Sequence, residues 1–359
     1  MSAVDWLDAL SPWPGEFGLD RIRALLAELG EPQSEYPAIH VVGTNGKSTA
    51  TITIEQLLLS EGLSVGATIS PHVADWSERI RVNGREADFE AAIARVREPA
   101  ERLHATQFEI VTAGALAEFA DARVDVAVVE AGLGGRLDAT NVLRTRVVLL
   151  TNVGLEHTDV LGKTRDAIAQ EKLAVAPEDA IVVLSDETYA HLVPGNEVRI
   201  GGAREAAEAF VGHPIASTAN VALPGRFERR DGEIRDGAHN LDGVRFLVEQ
   251  LRGSEPQGPD LGYTVVVSIL ADKDADAMLR ELRRVGPRLV ATRSSSERAL
   301  PADQLAALAQ RHFEYVEVVD DPLEALTRAH EHGGTVLVTG SLYLLGDLAQ
   351  QERRTAWRG

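Results

Sequence analysis

The chain contains no cysteine, which excludes disulfides, thiolate metal sites and cysteine nucleophiles, and suits a cytoplasmic setting. Positive charge is also scarce. Lysine and arginine total 36 against 55 aspartates and glutamates, for a formal net charge of −19. Such a chain repels nucleic acid and anionic membranes at long range, so neither is expected as a partner, and an anionic substrate must be held by local cations or metal ions. The opening MSAVDWLDALSPWPG lacks a basic region followed by a long apolar core, and reads as neither a signal peptide nor a membrane span. No disorder-like tract and no coiled-coil heptad stands out. What is present is an ordinary globular balance of 44% hydrophobic and 25% charged residues in 359, enough for two α/β domains with separate cores.

The most informative stretch is IHVVGTNGKSTATIT at 39–53. A β-rich apolar run breaks into Gly43-Thr44-Asn45-Gly46 and restarts at Lys47 with a helical pattern. In a strand–loop–helix of this kind, two glycines let backbone N–H groups turn inward around an anion, and the helix N-terminus adds partial positive charge. Lys47 supplies a mobile cation for outer phosphates, and Ser48 or Thr49 a hydroxyl for Mg²⁺. The position five before Gly46 is Val41 instead of the glycine of the general P-loop pattern.

Along the chain, 19–29 has helical spacing, and 64–69 reads as a second strand ending in Ser70-Pro71-His72, a polar triplet where α/β sheets bind ligands. Residues 77–84 read as a short strand with a turn, and helices are expected over 88–103 and 111–120. The nearly apolar run from Val124 suits a strand buried on both faces, and it ends in Glu130, placed to hold or orient a Mg²⁺ ion. Gly132, Gly134 and Gly135 follow. Residues 180–184 read as the last strand of the first half. Beyond 227, strands at 263–270, 288–292, 315–319 and 335–338 alternate with helices, the pitch of a parallel sheet with right-handed crossovers.

These blocks resemble the folylpolyglutamate synthase and dihydrofolate synthase family, a branch of the ATP-dependent Mur ligases. The likeness rests on Gly43–Lys47, Ser70-Pro71-His72, the 78–82 and 130–141 strings, His157-Thr158-Asp159, Glu171-Lys172, and 223–228. It continues in Asp236-Gly237-Ala238-His239-Asn240, Leu270-Ala271-Asp272-Lys273-Asp274 and 339–344. The implied fold is an N-terminal P-loop ATPase domain with a mostly parallel sheet (1–222) plus a smaller Rossmann-like glutamate-ligase domain (227–359). The implied activity is ATP-dependent addition of L-glutamate to a folate or dihydropteroate carboxylate, by a monomer. The likeness further implies that Lys47 with Ser48 or Thr49 holds the ATP phosphates and magnesium, that Ser70 and Glu130 complete a first Mg²⁺ site, and that His157 serves a second. Lys172 matches the lysine that becomes a carbamate. Read on its own it is a helix-surface lysine beside Glu171. Arg226, Asp236 and His239 match nucleotide contacts of the second domain, and Lys273, Ser341 and Tyr343 lie near the incoming amino acid.

The chain departs from the family between Lys172 and Pro224. This interval is short, and the block Gly-x-His-Gln-x-x-Asn, whose asparagine is expected near the adenine, is replaced by 202–208, an alanine-rich stretch. Three readings follow: a folate-type ligase, a Mur-like ligase of another carboxylate, and a nucleotide-binding relative without ligase turnover. The retained Lys47, Glu130, His157 and Asp236 speak against the third, because binding alone does not need the full metal set.

Overall fold

The computed structural model describes residues 1–11, 17–254 and 261–356. Residues 12–16 of the opening stretch and the end of the 227–359 expectation lie outside the described residues. Two compact units result, Met1–Val221 and Ala222–Gly359.

In chain order the first unit comprises α1 (Ala3–Asp8), α2 (Asp20–Glu28), β1 (Ala38–Val42), α3 (Lys47–Ser60), β2 (Val65–Thr68), β3 (Ile80–Val82), β4 (Arg85–Glu86), α4 (Phe89–Leu103) and α5 (Gln107–Asp121). It continues with β5 (Val126–Glu130), β6 (Thr145–Leu150), α6 (Thr158–Leu161), α7 (Arg165–Leu173), β7 (Ile181–Leu184), β8 (Glu197–Ile200) and α8 (Ala203–Val211). The sheet order is β4-β3-β2-β5-β1-β6-β7-β8, parallel from β2 to β8 with an antiparallel β3–β4 edge. Both faces of β1 are covered, as its unbroken apolar character requires. Ile39 and Val41 pack with Ile54 and Leu58 of α3 and with Ala206 and Ala207 of α8. Ala38 packs on the opposite face with residues of α2, α4 and α5. β1 lies between β5 and β6, so the loops after β1, β2, β5 and β6 open on one sheet edge, where such sheets bind ligands.

Two local expectations change. Strand character begins only at Ile80, because Trp76–Arg79 is a 3₁₀ turn capped by Asp75 and Glu78. Leu184 does not end the sheet, because β8 pairs in parallel beyond it. As an edge strand carrying Glu197 and Arg199, β8 has no apolar run to mark it.

The second unit has β9 (Glu228–Arg230), β10 (Glu233–Arg235), α9 (Leu241–Ser254), β11 (Thr264–Val267), α10 (Ala275–Leu282), β12 (Arg288–Ala291), α11 (Ala302–Ala309), β13 (Tyr315–Val318), α12 (Pro322–Glu331), β14 (Val336–Thr339) and α13 (Leu342–Ala356). Its order is β13-β12-β11-β14-β10-β9, with only β9 antiparallel. The loops after β10 and β11 carry the polar strings at 236–240 and 271–274, and the string at 340–343 spans the loop after β14 and the start of α13.

β2 is seated by a single close approach. A Cβ on Gly66 would lie 2.5 Å from the ring of the fully buried Phe119. Gly66→Ala is therefore expected to lose about 1–3 kcal/mol in urea denaturation. Adding Phe119→Leu, which clears the contact, should recover part of the loss relative to Phe119→Leu alone. Equal stability of Gly66→Ala and the parent would contradict this packing.

Candidate active site

After Val42 the chain turns through Gly43, and a Cβ there would sit 1.9 Å from Thr151 Oγ1. Only glycine fits. The loop is held from the β6 side: Thr44 N–H donates to the Asn152 carbonyl (3.0 Å) and Asn45 N–H to Asn152 Oδ1 (2.8 Å). Thr151 Oγ1 donates to the Asn45 carbonyl at 2.8 Å, and Gly154 N–H to Thr44 Oγ1 at 2.9 Å. The expectation that successive loop N–H groups face an anion is thus narrowed, since those of Thr44 and Asn45 are engaged. Gly46, at φ 79°, precedes α3, whose ladder begins with Ala50 N–H donating to the Gly46 carbonyl. The N–H groups of the first turn are left for an outside anion. Ser48 is buried in this turn and Thr49 is exposed.

Lys47 Nζ lies 3.3 Å from the Thr44 carbonyl and 3.9 Å from Glu130 Oε1. Glu130 is buried at the end of β5, and its Oε2 accepts from Ser70 N–H at 3.0 Å. The Ser70-Pro71-His72 turn is stiffened from behind. Glu78 accepts from the N–H groups of Val73, Ala74 and Asp75, and Arg79 Nε donates to His72 Nδ1 at 2.9 Å while standing 4.3 Å above the Trp76 ring. Burial, reinforced by Arg79, holds the His72 imidazole down to about 3, so it is neutral. His157 begins α6 with φ 50° and a partly exposed ring, its Nε2 4.0 Å from Glu156. Among the described residues no group of three or more His, Asp or Glu forms a ready cation cage. The donors at this edge are hard oxygens, a serine hydroxyl and one carboxylate, which fits Mg²⁺ completed by phosphate oxygens and water.

Lys172 is not on the surface. It is 4% exposed near the C-terminal end of α7, and its Nζ donates to the Gly43 carbonyl at 2.8 Å. Desolvation brings its amine down to about 7, with the Lys47 charge adding to the effect and Glu156, Asp138 and Glu171 opposing it. A neutral fraction near pH 7 is the state that reacts with CO₂. The motif residues therefore come together as Gly43–Ser48, Ser70, Glu130 and Lys172. Thr151, Asn152 and Glu156 were not singled out from the sequence, although a polar pair directly after the Val-Val-Leu-Leu run of β6 is the kind of strand-end signal that marked Glu130.

In the second unit Asp236 organises its own loop. Its Oδ2 accepts from Phe227 N–H (2.8 Å) and its Oδ1 from Ala238 N–H (2.9 Å), which holds Phe227 at φ 48°. Burial pushes the Asp236 carboxyl up, while these N–H groups and the charges of Arg226 and His239 oppose the shift. His239 Nδ1 is 2.8 Å from the Gly237 carbonyl, and Arg226 Nη1 donates to the Gly225 carbonyl at 3.2 Å. Lys273 is 3.6 Å from Asp272. Ser341 is buried, and its Oγ accepts from Tyr343 N–H at 3.1 Å at the start of α13, where it acts as a cap; the Tyr343 side chain is exposed.

Comparison with known proteins fits this layout. Residues 41–200 match the Mur ligase middle domain and 225–342 the Mur ligase glutamate ligase domain, so sheet, loop and second unit are those of a Mur-type ligase. The dihydrofolate synthase/folylpolyglutamate synthase of Mycobacterium tuberculosis is 32% identical over 82% of this chain and 78% of its own length. The chain belongs to the dihydrofolate synthase/folylpolyglutamate synthase family. Escherichia coli FolC in complex with DHPP and ADP superposes with a TM-score of 0.87 at 26% identity, covering 100% of this chain and 99% of that one. A bifunctional folylpolyglutamate synthase/dihydrofolate synthase with Mn, AMPPNP and L-glutamate bound gives a TM-score of 0.84 at 26% identity, covering 98% of each chain. The M. tuberculosis alignment runs over 384 positions while this whole chain has 359 residues, so that relative carries residues lacking here.

The Lys172 environment predicts a pH effect. Between about pH 7 and the ordinary 10.5, the unfolded chain holds more protons at this lysine than the folded chain does. Stability from this group must then rise with pH across that window, by at most about 1.4 kcal/mol per unit, and the full burial penalty applies below it. Urea denaturation in CO₂-free buffer at pH 7 and pH 9 should show the parent gaining on Lys172→Met as pH rises. Parallel behaviour of the two proteins would show that Lys172 keeps its proton.

Proposed function

We propose that this chain joins L-glutamate to the carboxylate of a folate or of dihydropteroate, consuming ATP and releasing ADP and phosphate. The observation that carries the reading is the convergence of Lys47, Ser48, Glu130 and Lys172 on one loop at one sheet edge. A carboxylate does not react with an amine at neutral pH, because its carbon is a poor electrophile and its oxygen a poor leaving group. Transfer of the ATP γ-phosphoryl group makes an acyl phosphate, which the glutamate amine attacks with loss of phosphate.

Both steps build negative charge on oxygen, and preorganised cations are the means of lowering that cost. Lys47 and the first-turn N–H groups of α3 bind and orient the phosphates. Magnesium would be held through Ser48 and Glu130 with Ser70 alongside and would neutralise charge at the phosphates, and a second ion would fall to His157 and to Lys172, which matches the family lysine able to form a carbamate. Arg226, Asp236 and His239 are assigned to the nucleotide, and Lys273, Ser341 and Tyr343 to the incoming glutamate. The lack of cysteine suits the cytoplasm, no coiled-coil heptad argues against a monomer, and the charge of −19 disfavours nucleic acid and anionic membranes as partners. A second reading, a Mur-like ligase of another carboxylate, draws on the residues that the M. tuberculosis relative carries and this chain lacks.

The decisive measurement is ADP release with ATP, Mg²⁺ and L-glutamate, comparing dihydropteroate, tetrahydrofolate and no pterin. Release that needs both glutamate and a pterin is expected. Lys47→Ala and Glu130→Gln should each lower kcat by about 10²-fold or more. Glutamate-dependent release that ignores both pterins would replace the folate reading with the second one.

A further inference from the structure

His40 is a fully buried histidine in the middle of β1. Side chains alternate along a strand, so with Ile39 and Val41 facing α3, His40 lies on the Ala38 face. Its Nε2 is 2.8 Å from Thr140 Oγ1, and Thr140 Oγ1 donates to Asp138 Oδ1 at 2.5 Å. Burial pushes the Asp138 carboxyl up, against the Thr140 hydroxyl and the N–H groups of Leu133 and Thr140; as a carboxylate it takes the one hydroxyl proton, and the hydroxyl then accepts from the ring. The ring is then the Nε2–H tautomer. Its Nδ1 has no hydrogen-bond partner, and burial keeps the imidazole neutral, down to about 3.

An orphan ring nitrogen in an apolar interior is costly, and phenylalanine or leucine would avoid that cost. What the histidine supplies in return is the Nε2–H. That donor feeds a carboxylate which binds both ends of the loop after Glu130: Asp138 Oδ2 accepts from Leu133 N–H at 2.7 Å and Oδ1 from Thr140 N–H at 3.0 Å. Within this loop, a Cβ on Gly135 would be 2.4 Å from the Lys172 carbonyl and 2.8 Å from the Glu171 carbonyl. Arg136 N–H donates to the Glu171 carbonyl at 3.1 Å. The loop is therefore the seat on which the end of α7 rests, and α7 carries Lys172 to the Gly43 carbonyl.

We propose that His40 is a positioning residue of the ligase site, whose Nε2–H acts through Thr140 and Asp138 to fix the 132–140 loop and thereby the seat of Lys172. The kinetic part rests on the ligase reading, and the structural part stands without it. Two measurements on the full chain separate them. In glutamate-dependent ADP release, His40→Leu and Thr140→Val should each lower kcat at least about tenfold while KM for ATP moves less than about threefold, because small misplacement costs rate more than binding. His40→Gln, which keeps an N–H donor, and Thr140→Ser, which keeps the hydroxyl, should recover most of the loss. The double variant His40→Leu/Thr140→Val should be no worse than the poorer single one, since both cut the same chain.

Amide hydrogen exchange at Leu133 and Thr140 should speed up about tenfold or more in Thr140→Val and return towards the parent rate in Thr140→Ser. Unchanged exchange in Thr140→Val, or additive kinetic losses in the double variant, overturns the proposal. Should His40→Leu fail to fold, the Thr140 pair gives the same decision. A parent protein without turnover defeats the ligase reading, and the exchange rates then decide the loop-fixing role by themselves.

Discussion

Everything at the candidate site depends on how closely the backbone approaches at Gly43. The Gly43 carbonyl accepts from the Lys172 amine at 2.8 Å, and its Cα stands so near Thr151 that no side chain can be placed between them. One residue thus ties β1, the loop after β6 and the end of α7 into a single junction. The junction spends two loop N–H groups on Asn152, which would be wasteful if the loop bound phosphate by itself. It is reasonable if the loop's task is to aim the first turn of α3. A helix N-terminus concentrates its N–H donors and dipole over one turn, so its direction matters more than the number of N–H groups in the preceding loop.

The second constraint is charge. A protein with a formal net charge of −19 must bind an anion against its own long-range field, and it does so by withdrawing the working cations from water. Lys47 and Lys172 are both largely buried, and the Lys47 charge raises the cost of protonating Lys172. Glu130 lies against Lys47, and Asp138, Glu156 and Glu171 around Lys172. The arrangement leaves Lys172 near its balance point at about 7, where small changes in bound anion or metal shift its proton. In a low-dielectric site these interactions are stronger than on the surface.

Much of this could be read from the sequence, and what could not has a common physical reason. Short-range chemistry was legible: the turn at Gly43–Gly46 requires glycine, and the apolar run of β5 ending in Glu130 announces a buried strand with a carboxylate at its tip. Contacts set by sheet order were not. Thr151 and Asn152 matter because β6 lies beside β1, and Lys172 is buried because α7 folds back on that junction; neither neighbour is implied by local pattern. β8 was invisible because a polar edge strand carries no burial signal. His40 sits inside an apolar strand and reads as one tolerated polar residue until its partner, 100 positions away, is known.

The residues after Lys172 lie outside this junction. The elements that bring Lys47, Ser48, Ser70, Glu130 and Lys172 together are β1, α3, β2, β5, β6 and α7 with their loops, all of which end by Leu173. The residues that follow take a different task. Small side chains at Ala206, Ala207 and Ala209 let α8 lie close on α3, and Gln56 of α3 exchanges two hydrogen bonds with the backbone of Asn220, accepting from its N–H at 2.9 Å and donating to its carbonyl at 3.1 Å. The segment therefore braces the outer side of α3, the helix that carries Lys47 and Ser48. A fold in which catalysis and recognition are carried by different strand-end loops can lose a recognition block without dismantling the chemistry.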